Sequence, residues 1–330
     1  MTKILMTSVS DDEIPAIKAY EARNNIEIVM SRDEFHPENT PDLTGIDGLV
    51  IQQTATIGGD AAFYEKLKAG GLQQIATRTA GYDMVPVALA KAAGLKVTNV
   101  PAYSPRSVAE MALMQIFRLL RRTPEFDARI AANDFRWEGL QSREIHSVTV
   151  GIIGAGRIGG TLAQMLHVLG ATVLAYDVKP REELKELVTY VSKAELLAQS
   201  DVISLHVDLN PTSTGLLTAP DFAQMKVGGL LVNASRGPVI NTDDLIAALE
   251  AGKLHAAALD TVEDESAVFN HDLRETGVPD ARIQKLLDMP NVILTPHIAF
   301  FTNIAVENMV DISLDDTMQI IKGETSAHEI

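Results

Sequence analysis

The chain has 330 residues, 46% of them hydrophobic and 22% charged, with no cysteine and a formal net charge of −16. That length suits two domains of about 150 residues each, and the composition is that of an ordinary globular protein. The negative field disfavours a nucleic-acid or anionic-membrane partner, the missing thiols exclude disulfides and thiolate chemistry, and no apolar run has the length of a membrane span.

Residues 1–6 read directly as a strand and not as a basic, apolar leader; with the lack of cysteine this predicts a cytoplasmic protein. Short apolar runs then alternate with amphipathic stretches. Residues 4–6, 26–30, 48–51, 74–78 and 97–100 read as strands, and 14–22 and 61–69 as helices. Such a βα series predicts a parallel sheet flanked by helices, here without a phosphate loop. The stretch Thr79-Ala80-Gly81-Tyr82-Asp83 follows a strand's carboxyl end, where ligands of open α/β sheets sit. Its backbone amides suit a carboxylate, although a plain strand-to-helix turn has the same spacing. Pro101 breaks the strand, and Ser104 and Pro105 then read as the N-cap and first residue of a long apolar helix reaching Leu120, the crossover to a second domain.

The second domain opens on a β-branched run entering Gly154-Ala-Gly156-Arg157-Ile158-Gly159, followed by a helical pattern over 161–169. Gly154 permits the tight turn, Gly156 lets a pyrophosphate approach the backbone, and Gly159 lets the helix pack closely on its strand. The next strand, 172–176, ends in Asp177, eighteen residues past Gly159. An acid there accepts the ribose hydroxyls of an adenine nucleotide and repels a 2′-phosphate, so the pair points to NAD. Further strands at 201–207, 229–233, 255–260 and 291–294 bring the series to six, a complete dinucleotide-binding sheet. With no strand left to supply, the last helix, 302–321, is expected to return to the first domain.

Three strand ends in this half carry ionisable groups. Arg236 stands in Asn233-Ala234-Ser235-Arg236-Gly237-Pro238, Glu265 in an acidic cluster with Glu263 and Asp264, and His297 between Pro296 and an apolar stretch. Singly, each has an ordinary explanation: a turn-capping arginine, a solvated loop, a structural histidine. Together they supply what hydride transfer to a 2-keto acid needs. A guanidinium forks a carboxylate, and an imidazole gives a proton to the forming alkoxide. A neighbouring carboxylate favours the charged imidazole. No metal site is read.

These motifs, with Thr295-Pro296-His297 and with Glu265 five residues after Asp260, resemble the D-isomer-specific 2-hydroxyacid dehydrogenases over essentially the whole chain. The chain is most similar to the lactobacillal branch of D-lactate and D-2-hydroxyisocaproate dehydrogenases, through Asn99-Val-Pro-Ala-Tyr-Ser-Pro105, Met289-Pro-Asn-Val, the tail Lys322-Gly-Glu-Thr-Ser326 and the long segment 266–288. The resemblance implies a Rossmann NAD domain, residues 102–298, inserted into a flavodoxin-like substrate domain, residues 1–101 and 299–330, both doubly wound parallel α/β sheets. It implies a homodimer that reversibly reduces pyruvate and related 2-keto acids, with Arg236 binding substrate and His297, paired to Glu265, as acid and base. Gly154, Gly156, Arg157, Ile158, Gly159, Asp177, Val207, Asp208, Ala234, Ser235, Arg236 and Asp260 are the expected cofactor contacts. Arg78, Ala80, Gly81, Tyr103, Arg236, His297 and Phe300 are expected at the substrate. Ile51 stands where lactate-specific relatives carry an aromatic, so it predicts either a roomier pocket for larger 2-keto acids or a buried strand end. Ser266 and Asp208 replace prolines common among relatives, and Asp208 adds negative charge near the expected adenine site. A non-catalytic NAD(H)-sensing scaffold on the same fold is the rival, disfavoured by the joint presence of Arg236, Glu265 and His297. A formate dehydrogenase is disfavoured because its relatives carry glutamine, not glutamate, beside the histidine.

Overall fold

The computed structural model describes residues 2–53 and 55–330; Met1, where the N-terminal reading begins, lies outside them. The chain divides into two compact units, one of residues up to Ser104 together with Phe301–Ile330, the other Pro105–Phe300.

In the first unit the elements are β1 (Lys3–Met6), α1 (Ile14–Asn24), β2 (Glu27–Met30), β3 (Gly48–Ile51), α2 (Ala61–Ala69), β4 (Gln74–Thr77), α3 (Val87–Ala92) and β5 (Lys96–Thr98). All pairings are parallel in the order β2-β1-β3-β4-β5, the flavodoxin-like winding. The central strands β3 and β4 are buried on both faces because helices cover both. The last helix of the chain, Asn303–Ile321, belongs to this sheet: its Val310 and Leu314 share a core with Ile4, Met6, Ile17, Val50 and Ala76. Its approach is so close that a Cβ on Gly48 would lie 2.5 Å from Thr317 Cγ2. The chain ends against the sheet edge, where Thr98 and Glu329 form an antiparallel bridge and the Ile330 amide donates to Val97 O at 2.9 Å.

The second unit contains α4 (Pro105–Leu120), α5 (Thr123–Ala131), β6 (Thr149–Ile153), α6 (Arg157–Val168), β7 (Thr172–Tyr176), β8 (Thr189–Tyr190), α7 (Lys193–Gln199), β9 (Val202–Leu205), α8 (Ala219–Gln224), β10 (Gly229–Asn233), α9 (Thr242–Glu250), β11 (Leu254–Leu259), α10 (Ala281–Asp288) and β12 (Val292–Leu294); the returning helix is then α11. The order β12-β11-β10-β9-β6-β7-β8 is the dinucleotide-binding winding with a seventh strand at the β12 edge. Where the sequence reads six strands the sheet has seven, because β8 is two residues long and too short to show a period. Helix α6 begins at Arg157, four residues before its apolar pattern, since glycines in its first turn add nothing to that pattern. Apolar side chains of α4, such as Ala112 and Ile116, join Val150, Leu162 and Val232 in one core.

Candidate active site

The glycine turn is built as its spacing requires. Gly154 has φ +91°, and a Cβ there would lie 2.5 Å from His206 O; a Cβ on Gly159 would lie 2.0 Å from Gly154 O. Neither position tolerates a side chain. At Gly156 an added Cβ meets nothing within 4 Å, so the backbone faces open space beside the first turn of α6. Here the amides of Ile158 and Gly159 have no earlier helical carbonyl to pair with, which suits a pyrophosphate. Asp177 follows β7 and is held against the turn, with Oδ2 accepting from the Ala155 amide and Oδ1 from the Lys179 amide, both at 2.8 Å. The residues present therefore fit a dinucleotide with an unmodified 2′-hydroxyl.

Other residues expected at the cofactor have local roles. Val207 is half-buried beside Gly154. Asp208 is exposed and accepts from Asn210 Nδ2 at 3.1 Å within its own turn. Ala234 and Ser235 follow β10 and are buried, the Ser235 hydroxyl donating inward to Asn233 Oδ1 at 2.7 Å. Asp260, almost sealed from solvent, holds the 295–299 loop: its carboxylate accepts from Thr295 Oγ1 at 2.6 Å, the Ile298 amide at 3.1 Å and the Ala299 amide at 3.0 Å.

This framework sets Glu265 against His297 and places the loop that carries Arg236 on the backbone after β11. Asn233 fixes the turn after β10, its Nδ2 donating to Arg236 O at 3.1 Å and Thr261 O at 3.3 Å. Gly237 packs on the backbone after β11, where a Cβ would lie 2.0 Å from Val262 O, so the Arg236 and Glu265 loops can lie side by side. Glu265 is tied down by the Val262 amide, which donates to Oε2 at 2.9 Å, and its Oε1 meets His297 Nδ1 at 2.5 Å. His297 has a φ of +52°, a strained value for a non-glycine, held by its amide's bonds to Asp260 O and Thr295 O. Phe300 stands edge-on to the imidazole at 6.5 Å between centroids. The motif that contains Asn233 gives it no role, and Arg282 belongs to no motif: Arg282 on α10 reaches Asp264 at 2.5 Å and Asp280 at 3.4 Å and so anchors the acidic loop from outside. Only an excess of acids near one arginine in the sequence hints at this.

In the first unit, Ala80 and Gly81 form a half-buried loop after β4, and Tyr103 O accepts from Asn308 Nδ2 at 2.7 Å. Two expectations are corrected. Arg78 does not offer its guanidinium to a ligand: it is 0% exposed, with Nε at 2.8 Å from Glu13 Oε1 and Nη2 donating to Thr7 O at 3.0 Å and Ser8 O at 3.2 Å. It is a buried arginine satisfied by its own sheet. Ile51 is likewise 0% exposed and belongs to the apolar core with Leu5, Phe35, Leu49 and Tyr64, the buried strand end of the two readings.

A nucleotide turn that excludes side chains, an acid at the next strand end and a carboxylate-oriented histidine define an NAD-dependent α/β dehydrogenase. Residues 113–299 match the family model for the NAD-binding domain of D-isomer specific 2-hydroxyacid dehydrogenases. A D-2-hydroxyacid dehydrogenase (NAD(+)) of Clostridioides difficile is 41% identical over 99% of both chains. A solved D-lactate dehydrogenase from Sporolactobacillus is 52% identical, covers 100% of this chain and 99% of its own, and superposes with a TM-score of 0.86. The NAD-complexed D-isomer specific 2-hydroxyacid dehydrogenase of Lactobacillus delbrueckii ssp. bulgaricus is 34% identical over 100% of both chains, with a TM-score of 0.88. The chain belongs to the D-isomer-specific 2-hydroxyacid dehydrogenases, as an enzyme with NAD as its cofactor.

Proposed function

We propose that this enzyme reduces pyruvate and related small 2-keto acids to the D-2-hydroxy acids, reversibly. The 2.5 Å contact of Glu265 Oε1 with His297 Nδ1 carries the reading, because it fixes which imidazole nitrogen is left for a substrate. NAD, when bound, supplies or takes up the hydride. Arg236 holds the substrate carboxylate as a fork. His297 gives its Nε2 proton to the carbonyl oxygen in reduction and takes it back in oxidation, while Glu265 holds Nδ1–H and so the direction of the ring. The amides of Ala80 and Gly81, with Tyr103 and Phe300, are assigned to the substrate on the sequence resemblance. A sensor of NAD(H) has no use for a histidine oriented by a carboxylate. The deciding experiment is NADH oxidation with pyruvate, 2-ketobutyrate, 2-ketoisocaproate and phenylpyruvate, followed by chiral analysis of product; an L-product, or no turnover of any acid, overturns the reading.

A homodimer is part of the proposal. Phe135 and Trp137, in the segment after α5, are 74% and 83% exposed, and Ile130 on α5 is 51% exposed. Large apolar side chains so grouped are typical of a covered surface, and a second copy is the occupant always at hand. Light scattering that gives a monomer mass at working concentration refutes it. A cytoplasmic location is proposed from the cysteine-free composition; among the described residues no helix is long and apolar enough to cross a membrane.

A further inference from the structure

The loop after β4 has an unusual pattern of hydrogen bonds. Its three successive carbonyls are each pinned: Thr79 O accepts from the Val100 amide at 3.0 Å, Ala80 O from Asn99 Nδ2 at 2.6 Å, and Gly81 O from Thr79 Oγ1 at 2.6 Å. Among the described residues, no protein group accepts from the Ala80 or Gly81 amides. In a planar trans peptide the C=O of one residue and the N–H of the next point in opposite directions. Pinning Thr79 O therefore aims the Ala80 N–H, and pinning Ala80 O aims the Gly81 N–H, both away from the groups that hold the carbonyls. Two adjacent, half-buried amides without partners form a concavity for an anion.

We infer that Asn99 is a positioning residue that orients the Gly81 amide, beside the Ala80 amide, toward the carboxylate of the 2-keto acid; this rests on the substrate assignment proposed above. Asn99 suits the task because it is itself immobilised. Its amide donates to His328 O at 3.3 Å, and His328 Nδ1 lies 3.0 Å from Asp316 Oδ2 on α11. The C-terminal segment thus braces the residue that braces the loop. No group on Asn99 need touch the substrate. Without its Nδ2 the Ala80–Gly81 peptide can rotate, and the Gly81 amide then points toward the carboxylate only part of the time. Binding is weakened while proton transfer, which belongs to His297, is not.

The test uses full-length Asn99→Leu, close in shape but without the donor, and Asn99→Ala, which removes the side chain beyond Cβ. Steady-state kinetics with pyruvate and binding of the non-reducible analogue oxamate to the enzyme–NADH complex are the readouts. In Asn99→Leu the KM for pyruvate and the oxamate dissociation constant should rise together by about tenfold or more, the size set by loss of a charge-assisted hydrogen bond. At the same time kcat should stay within about threefold and NADH affinity should be unchanged. Asn99→Ala should give the same signature, and it decides alone if Asn99→Leu does not fold. Unchanged pyruvate and oxamate constants overturn the inference. So does a parallel loss of kcat, NADH affinity and melting temperature, which would mark Asn99 as merely structural. A wild type that neither reduces 2-keto acids nor binds oxamate overturns the functional reading itself, and is recognised before any variant is made.

Discussion

Glu265 and His297, 32 residues apart in the chain, meet with Oε1 2.5 Å from Nδ1. Each is fixed from behind, Glu265 by the Val262 amide and His297 by the Asp260 carbonyl. The imidazole is thereby set in one tautomer and one direction, which a histidine on an unbraced loop cannot maintain.

His297→Ala should lower kcat for 2-keto acid reduction by about 10²–10⁴-fold, the usual worth of a general acid, with NADH binding retained. Glu265→Gln keeps the shape and removes the charge. It also weakens the hydrogen bond that orients the ring, so kcat for reduction should fall by about tenfold or more while NADH affinity is unchanged. A Glu265→Gln enzyme with wild-type kcat counts against the assignment.

NADH should be strongly preferred over NADPH, since Asp177 follows β7 and would face a 2′-phosphate. Asp177→Ala should narrow the preference. It also deletes the acceptor for the Ala155 amide, so NADH should itself bind more weakly, by about tenfold. Titration of both cofactors against both proteins measures this, and equal use by the wild type refutes it.

Glu13→Gln should destabilise the first unit by about 3–5 kcal/mol, because it leaves the Arg78 guanidinium buried with its charge uncompensated. Burial already pushes the Arg78 pKa down against the pull of Glu13. Replacing both together, Arg78→Met with Glu13→Leu, should recover most of the loss. Chemical denaturation checks the stabilities. The KM for pyruvate of the folded double variant should match wild type; a large rise would return Arg78 to the substrate site.

Burial pushes the His206 imidazole down to about 4. Its Nε2 lies 2.8 Å from Ser204 Oγ, and its Nδ1 has no hydrogen-bond partner among the described residues. The unfolded chain titrates this histidine near 6.5 and so binds the extra proton first as the pH falls. Its contribution to stability is therefore complete above about pH 6.5 and is lost progressively down to about pH 4, by at most about 3 kcal/mol. His206→Gln should flatten the pH dependence of stability across that window. Parallel curves for the two proteins between pH 4 and pH 7 exclude it.

The parallel winding and the glycine turn were legible, and Arg236, Glu265 and His297 could be proposed, because each leaves a local mark. Buried strands are continuous apolar runs, the turn needs glycines at fixed spacing, and the ionisable candidates follow strand ends. Strand β8 and the short helices α3, α5 and α7–α10, of nine residues or fewer, leave weaker marks.

Contacts across the sheet were decided only in three dimensions. Arg78 looks in the sequence like a cation at a strand end, and nothing local says that Glu13, 65 residues earlier, arrives to bury it. Asp260 reads as a cofactor contact, yet its carboxylate is taken up by a loop more than 30 residues later. The same holds for Asn99, whose amide side chain finds Ala80 O 19 residues back. Hydrophobic periodicity and glycine spacing are properties of neighbours along the chain, so sequence alone determined the longer elements and the chemical groups they carry. Which polar group satisfies which is a property of neighbours in space, and only the packed sheet, by bringing strand ends together, decided it.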